Sequence, residues 1–212
     1  MGGSGRPTTL RVRPAMGGTE GEGIAKEGRS SVMARTKLSP KSKDPQASRP
    51  TVPGYKFAGK KAGLLPWRWA SDRLKKSRQY WIGTTRPGGA PHLMIVWGVW
   101  LEDAFWFSTG ATSRKARNLA QDPRCSIGTD NAAEAVILEG NVELIEEQDA
   151  GFEKFATAYQ KKYAWDVREM AQPVYRFRPS VGFGLFERKF EQTATRWVFR
   201  SMEEGSGQRR LS

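Results

Sequence analysis

Leu93 to Leu101, nine residues, is the longest mostly apolar stretch in the chain. A helix needs roughly 20 such residues to cross a bilayer, so no membrane span is expected and the chain reads as soluble. The stretch has the length of a strand, yet Leu93 to Trp100 is apolar at odd and even positions alike. An antiparallel strand normally turns one face to water, so this one needs a cover on both sides. A helix or a second subunit has to supply the outer cover, and a homodimer is expected.

The 212 residues suffice for one domain. Eight Trp, ten Phe and five Tyr can supply its core, but none of them lies in residues 1–50, which hold eight Gly and five Pro. Such a segment cannot bury enough apolar area to offset the entropy of ordering. Residues 1–61 are therefore read as a disordered basic tail, 62–200 as the folded domain and 201–212 as a disordered C-terminal tail. The formal charge of +13 follows the same division, with 13 Lys/Arg against 4 acids in residues 1–61 and 22 against 18 in residues 62–212. The domain is only mildly basic, so nucleic acid is not the expected partner. No apolar core of a secretory signal precedes Tyr55, and Glu20, Glu22 and Glu27 interrupt a transit-peptide pattern, so a cytoplasmic protein is expected. Cys125 and His92 are the only residues of their kinds. An internal disulfide and a Cys/His zinc site are excluded, and no metal is expected.

Strand signals dominate the domain. Pro66 opens a short amphipathic helix in which Trp67, Trp69, Ala70 and Leu74 are interleaved with Arg73, Lys75, Lys76 and Arg78. Tyr80 to Thr85 leads through Pro87-Gly88-Gly89 into the run that begins near His92, a hairpin pattern. Glu102-Asp103 is a second tight turn, before a strand over Ala104 to Thr109. Thr112 to Gln121 switches to helical period and stops at Asp122-Pro123. Arg124 to Thr129 and Ala135 to Ile145 return to strand period, with Gly140 read as a bend or bulge. Phe152, Phe155, Ala156, Tyr159 and Tyr163 make a helical stripe, read as core, and Val181 to Phe186 and Thr193 to Phe199 close the domain as strands. Six or so antiparallel strands with two or three helices and no βαβ repeat define a mainly β domain with appended helices, a small barrel.

One segment carries the chemistry: Ser108-Thr109-Gly110-Ala111-Thr112-Ser113-Arg114-Lys115-Ala116-Arg117-Asn118-Leu119. A strand ends there in hydroxyl residues, and a helix opens with Thr112 or Ser113 as N-cap. Arg114 and Lys115 then stand in the first turn, where cations oppose the helix dipole. A phosphate would resolve the conflict, accepting the free N–H groups, the hydroxyls and both cations; a solvated basic helix start is the alternative.

Residues 66–200 resemble the pyridoxamine 5'-phosphate oxidase-like superfamily of flavin-binding split barrels, and more closely its flavin/deazaflavin oxidoreductase branch. The likeness is carried by Trp81-Ile82-Gly83-Thr84-Thr85-Arg86-Pro87-Gly88-Gly89-Ala90-Pro91-His92, Val96-Trp97-Gly98-Val99-Trp100, Phe105-Trp106-Phe107-Ser108-Thr109-Gly110 through Leu119, and Leu138-Glu139-Gly140; Thr195-Arg196-Trp197-Val198-Phe199 is similar to the branch's last strand. The resemblance implies a six-stranded antiparallel split β-barrel of the FMN-binding type, dimeric, with cofactor at the subunit interface. It implies that Ser113, Arg114 and Lys115 hold a cofactor phosphate, with Thr85, His92, Ser108, Thr109 and Asn118 contributing and Trp97 along the ring. The oxidase proper carries an Arg and a Lys where this chain has His92 and Trp97, and a glutamine where it has Ala135, which argues against vitamin B6 oxidation. Coenzyme F420 is the implied cofactor, with FMN the alternative, and the implied activity is hydride transfer to a small organic substrate. An FMN enzyme resembling the oxidase, or a non-catalytic flavin, F420 or haem carrier, are the other readings. No catalytic side chain can be named, because in such enzymes the cofactor carries the chemistry. His92, Tyr159, Tyr163 and Trp165 have structural readings as well as functional ones.

Overall fold

A computed structural model describes residues 44–57, 59 and 62–200. Of the tail expected over 1–61, residues 1–43, 58, 60 and 61 lie outside the described residues, as does the whole of the tail expected over 201–212.

Helix α1 (Trp67–Lys76) starts immediately after Pro66, as the sequence predicts, and buries Trp67, Ala70 and Leu74. Its last turn carries Arg73, Lys75 and Lys76, which suit the negative end of the helix dipole. Upstream of it lies a three-residue strand, β1 (Gln46–Ser48). This strand lies inside the segment 1–61 read as a tail, and it is held by pairing with a distant strand, β9 (Thr195–Val198), rather than by its own composition.

The hairpin of β2 (Tyr80–Thr85) and β3 (Pro91–Val96) pairs Thr85 with Pro91 and Tyr80 with Val96. Its turn is closed by the Arg86 amide donating to the Ala90 carbonyl at 2.9 Å, with Gly88 and Gly89 at φ 87° and 90°. The run expected as one strand to Trp100 is two. After Trp97, β4 (Gly98–Leu101) leaves β2 and pairs with β5 (Ala104–Ser108) through a tight turn in which Glu102 and Asp103 both have positive φ.

Helix α2 (Arg114–Gln121) follows, then β6 (Arg124–Thr129) and β7 (Glu134–Ile145). Helix α3 (Phe152–Tyr163) leads to a long strand, β8 (Val174–Phe186); a short helix, α4 (Phe190–Thr193), and β9 (Thr195–Val198) complete the domain. Strand β8 begins seven residues before the expected Val181. Its Pro179 sits opposite Gly140, where the β7–β8 register shifts, so the missing proline N–H costs no regular ladder bond.

Neighbouring strands are antiparallel, in the order β1-β9-β8-β7-β6-β2-β3. The first part of β8 also pairs with β5, and its later part with β9. A circuit of β2, β3 with β4, β5, β8, β7 and β6 thus runs around one core, which is the expected six-stranded split barrel. Between β3 and β4 it is joined by the chain at Trp97 and not by a ladder. Strands β1 and β9 extend the sheet beyond this circuit.

Two apolar clusters fill the domain. The first lies inside the sheet, among Tyr80, Ile82, Phe105, Phe107, Ile127, Leu138, Phe177 and Trp197, with α1 packed on it. The second lies between α3 and the strands, uniting Val99, Ala104 and Trp106 with Phe155, Ala156, Tyr159 and Tyr163. Helix α3 thus covers the outer side of β4, whereas Leu93 and Met94 on β3 stay 59% and 46% exposed.

Candidate functional site

The passage from β5 to α2 folds as its residue types dictate. A turn closes with the Ser113 amide donating to the Gly110 carbonyl at 2.9 Å. Ser113 then caps the helix, its hydroxyl accepting from the Ala116 amide at 3.1 Å and lying 3.3 Å from the Thr109 hydroxyl. The Arg117 amide begins the helical ladder on the Ser113 carbonyl. This leaves the amides of Arg114 and Lys115 unclaimed by any acceptor among the described residues, at the positive end of the helix dipole.

Side-chain charge accumulates at the same place. The imidazole of His92 has its pKa lowered, first by desolvation and then by the positive charges of Arg86, Lys115 and Arg114. Desolvation also lowers the pKa of the Lys115 amine. Among the described residues no carboxylate forms an ion pair with Arg86, Arg114 or Lys115. Positive charge from Arg86 on the β2–β3 hairpin and from Arg114 and Lys115 at the start of α2 thus acts together on His92, an arrangement that an anion would relieve.

The remaining expected residues divide. Ser108 donates its hydroxyl to the Pro173 carbonyl at 3.1 Å, so it is engaged with backbone. Thr85 is exposed at the end of β2. Asn118 has no exposed surface and donates to Thr84 at 2.9 Å, which places it behind the helix start and not at its surface. Thr84, a residue the sequence reading did not single out, is its buried partner; the signal was its place on the inward face of β2 with Tyr80 and Ile82.

Trp97 stands apart, five residues along from His92, roughly 17 Å for an extended strand. It is 40% exposed, stacks on Tyr163 at 5.3 Å and 6°, and meets Trp165 edge-on at 5.8 Å. The strand break beneath it is secured from α3. Tyr163 accepts from the Gly98 amide at 3.0 Å, and Lys162 donates to the Gly98 carbonyl at 2.9 Å and to the Tyr80 hydroxyl at 2.8 Å. Burial lowers the Lys162 pKa to about 8 and raises that of Tyr163 to about 12. Tyr159 and Tyr163 thus belong to the core, as expected, while Trp165 remains 54% exposed.

An antiparallel split barrel with appended helices is the architecture of the pyridoxamine 5'-phosphate oxidase-like split barrels. Residues 70–196 match the family model described as pyridoxamine 5'-phosphate oxidase, and the chain belongs to that family. Among solved structures, a conserved hypothetical protein from Mycobacterium tuberculosis is similar at 21% identity and TM-score 0.54, over 74% of this chain and 100% of that one. The heme storage protein HutZ from Vibrio cholerae is 12% identical at TM-score 0.47, over 52% and 87% of the two chains. A structure titled F420 reductase is 18% identical at TM-score 0.44, over 53% and 94%. No curated protein matches the chain.

Proposed function

We propose that this chain is a cytoplasmic, homodimeric oxidoreductase that binds coenzyme F420, or FMN in its place, and passes a hydride between it and a small organic substrate. The observation that carries the reading is the start of α2, where two unclaimed amides, the Ser113 cap and the cations Arg114 and Lys115 face Arg86 and His92 with no carboxylate partner among the described residues. These residues fit a phosphate by charge, by donor count and by the dipole. Trp97, stacked on Tyr163 and 40% exposed, offers an aromatic surface just after the end of β3.

The bound cofactor would supply the hydride chemistry. The protein's part is to anchor the phosphate with Ser113, Arg114 and Lys115, and to shield the ring with Trp97. A second copy fits this account. Trp81 is 43%, Leu93 59% and Ile137 37% exposed on the outward face of β2, β3 and β7, a broad apolar strip of the kind that marks an interface. A carrier without turnover would bind the same group in the same way and is separated by assay.

Apoprotein titrated with F420 and with FMN tests the reading. Joint charge reversal, Arg114→Glu with Lys115→Glu, removes two charge-assisted contacts worth about 1.5–3 kcal/mol each, so affinity should fall at least about a hundredfold. Undiminished binding of both cofactors by a folded double variant would overturn it. Turnover of reduced cofactor with a panel of acceptors then distinguishes enzyme from carrier.

A further inference from the structure

An ammonium group from α3 bridges the split in the barrel. Val96, the last residue of β3, pairs with Tyr80, whereas Gly98, the first of β4, stands opposite Phe107 on β5. Trp97 lies between these two ladders and belongs to neither. Lys162 Nζ donates to the Gly98 carbonyl at 2.9 Å on one side of the split and to the Tyr80 hydroxyl at 2.8 Å on the other. The next residue of α3, Tyr163, accepts from the amide of the same glycine at 3.0 Å, so both backbone groups that follow Trp97 are gripped from one helix.

Stability alone does not account for this lysine. Among the described residues no carboxylate forms an ion pair with it. Burial, helped by the charge of Arg78 and opposed by that of Asp130, lowers its pKa to about 8, so holding a cation here costs solvation. Both of its acceptors have other partners. The Tyr163 hydroxyl lies 2.8 Å from the Gly98 carbonyl, and the Tyr80 hydroxyl donates to the Ser77 carbonyl at 2.7 Å. An apolar side chain of similar length would therefore leave neither of them orphaned. What only the ammonium supplies is a pair of directional bonds across the split, and the residue whose geometry they fix is Trp97, with its indole parallel to the Tyr163 ring at 5.3 Å.

We propose that Lys162 is a positioning residue for Trp97: by bridging Gly98 and Tyr80 it keeps the indole parallel to Tyr163, and in that pose the exposed indole meets the cofactor ring. The second half of this statement rests on the proposed function; the first half does not.

Lys162→Met in the full chain tests it, with Trp97→Phe as the spectral reference. The difference between the parent and Trp97→Phe in near-ultraviolet circular dichroism isolates the Trp97 signal without any cofactor. Lys162→Met should lose most of that signal, with a melting temperature unchanged or raised. Its affinity for FMN should fall by about tenfold through loss of an oriented aromatic contact, while its affinity for inorganic phosphate stays at the parent's value. Charge-assisted bonds are the stronger ones, so the parent's Trp97 signal should weaken as pH rises through about 8 and the variant's should show no such step. The Tyr80 and Tyr163 hydroxyls, whose pKa values burial raises, stay protonated across that window. A Trp97 signal unchanged in Lys162→Met, or a lowered melting temperature with FMN and phosphate affinity falling together, would overturn the proposal. Equal FMN affinity in parent and variant would overturn the link to the ring. Should Lys162→Met fail to fold, the parent's pH step against Trp97→Phe decides the matter. If the parent binds neither FMN nor F420, the proposed function falls, and the apoprotein spectra still decide whether Lys162 positions Trp97.

Discussion

The side-chain amide of Asn118 donates to the Thr84 hydroxyl across 2.9 Å, inside the barrel, with Asn118 fully buried and Thr84 only 3% exposed. Thr84 stands opposite His92 in the hairpin register. One polar bond in an apolar interior therefore fixes the helix bearing Arg114 and Lys115 against the hairpin bearing Arg86 and His92. Asn118 Oδ1 has no partner, so the amide is already half-satisfied. Thr84→Val removes its remaining partner and should cost about 1–3 kcal/mol, whereas adding Asn118→Leu removes the orphaned group and should recover part of that loss. Urea denaturation of the two single variants and the pair measures this; a Thr84→Val midpoint equal to that of the parent would contradict it.

His92 should link cofactor binding to pH. Its folded pKa lies below the ordinary value near 6.5, so the native state holds fewer protons at this position than the unfolded chain. On its own, His92 then takes stability away as pH falls below that ordinary value. An anion seated on Arg86, Arg114 and Lys115 neutralises the charges that oppose protonation, so binding should draw a proton onto the imidazole. FMN affinity should therefore gain more on acidification in the parent than in His92→Gln, a comparison that cancels the phosphate's own titration. Parallel pH profiles for the two proteins would rule the coupling out.

The strand break depends on a missing side chain. A Cβ on Gly98 would come within 2.3 Å of the Phe105 ring and 2.6 Å of the Trp106 carbonyl, and the second of these is backbone that cannot rotate away. Gly98→Ala should cost roughly 2–3 kcal/mol through overpacking and disturb the Trp97–Tyr163 stack above it. Thermal melting reads the first effect and near-ultraviolet circular dichroism the second; an unchanged melting temperature would mean that the break yields freely.

The hairpin at Pro87-Gly88-Gly89, a cap at Thr112 or Ser113 and the irregularity at Gly140 are all legible in the sequence, because each is a local event with its own residue chemistry; the structure settles the cap on Ser113. What escaped was non-local. Gln46-Ala47-Ser48 carries no strand signal and is a strand only through its pairing with β9. The first half of β8 was hidden by its arginines and Pro179, whose tolerance depends on Gly140 across the sheet. Asn118 sits in the segment read as a cofactor site, but the partner that defines its role lies 34 positions away. Cation clustering was half visible: Arg114 and Lys115 by adjacency, their approach to His92 only through the fold.

Strand β1 lies along the outer side of β9, with Gln46, Ala47 and Ser48 opposite Val198, Trp197 and Arg196. Trimming away the basic N-terminal stretch beyond about residue 44 would strip this cover and bare a row of backbone donors and acceptors beside the fully buried Trp197. The shortened protein would then carry a sticky margin able to recruit strands from its neighbours, so its handling would suffer from aggregation even with the barrel interior intact.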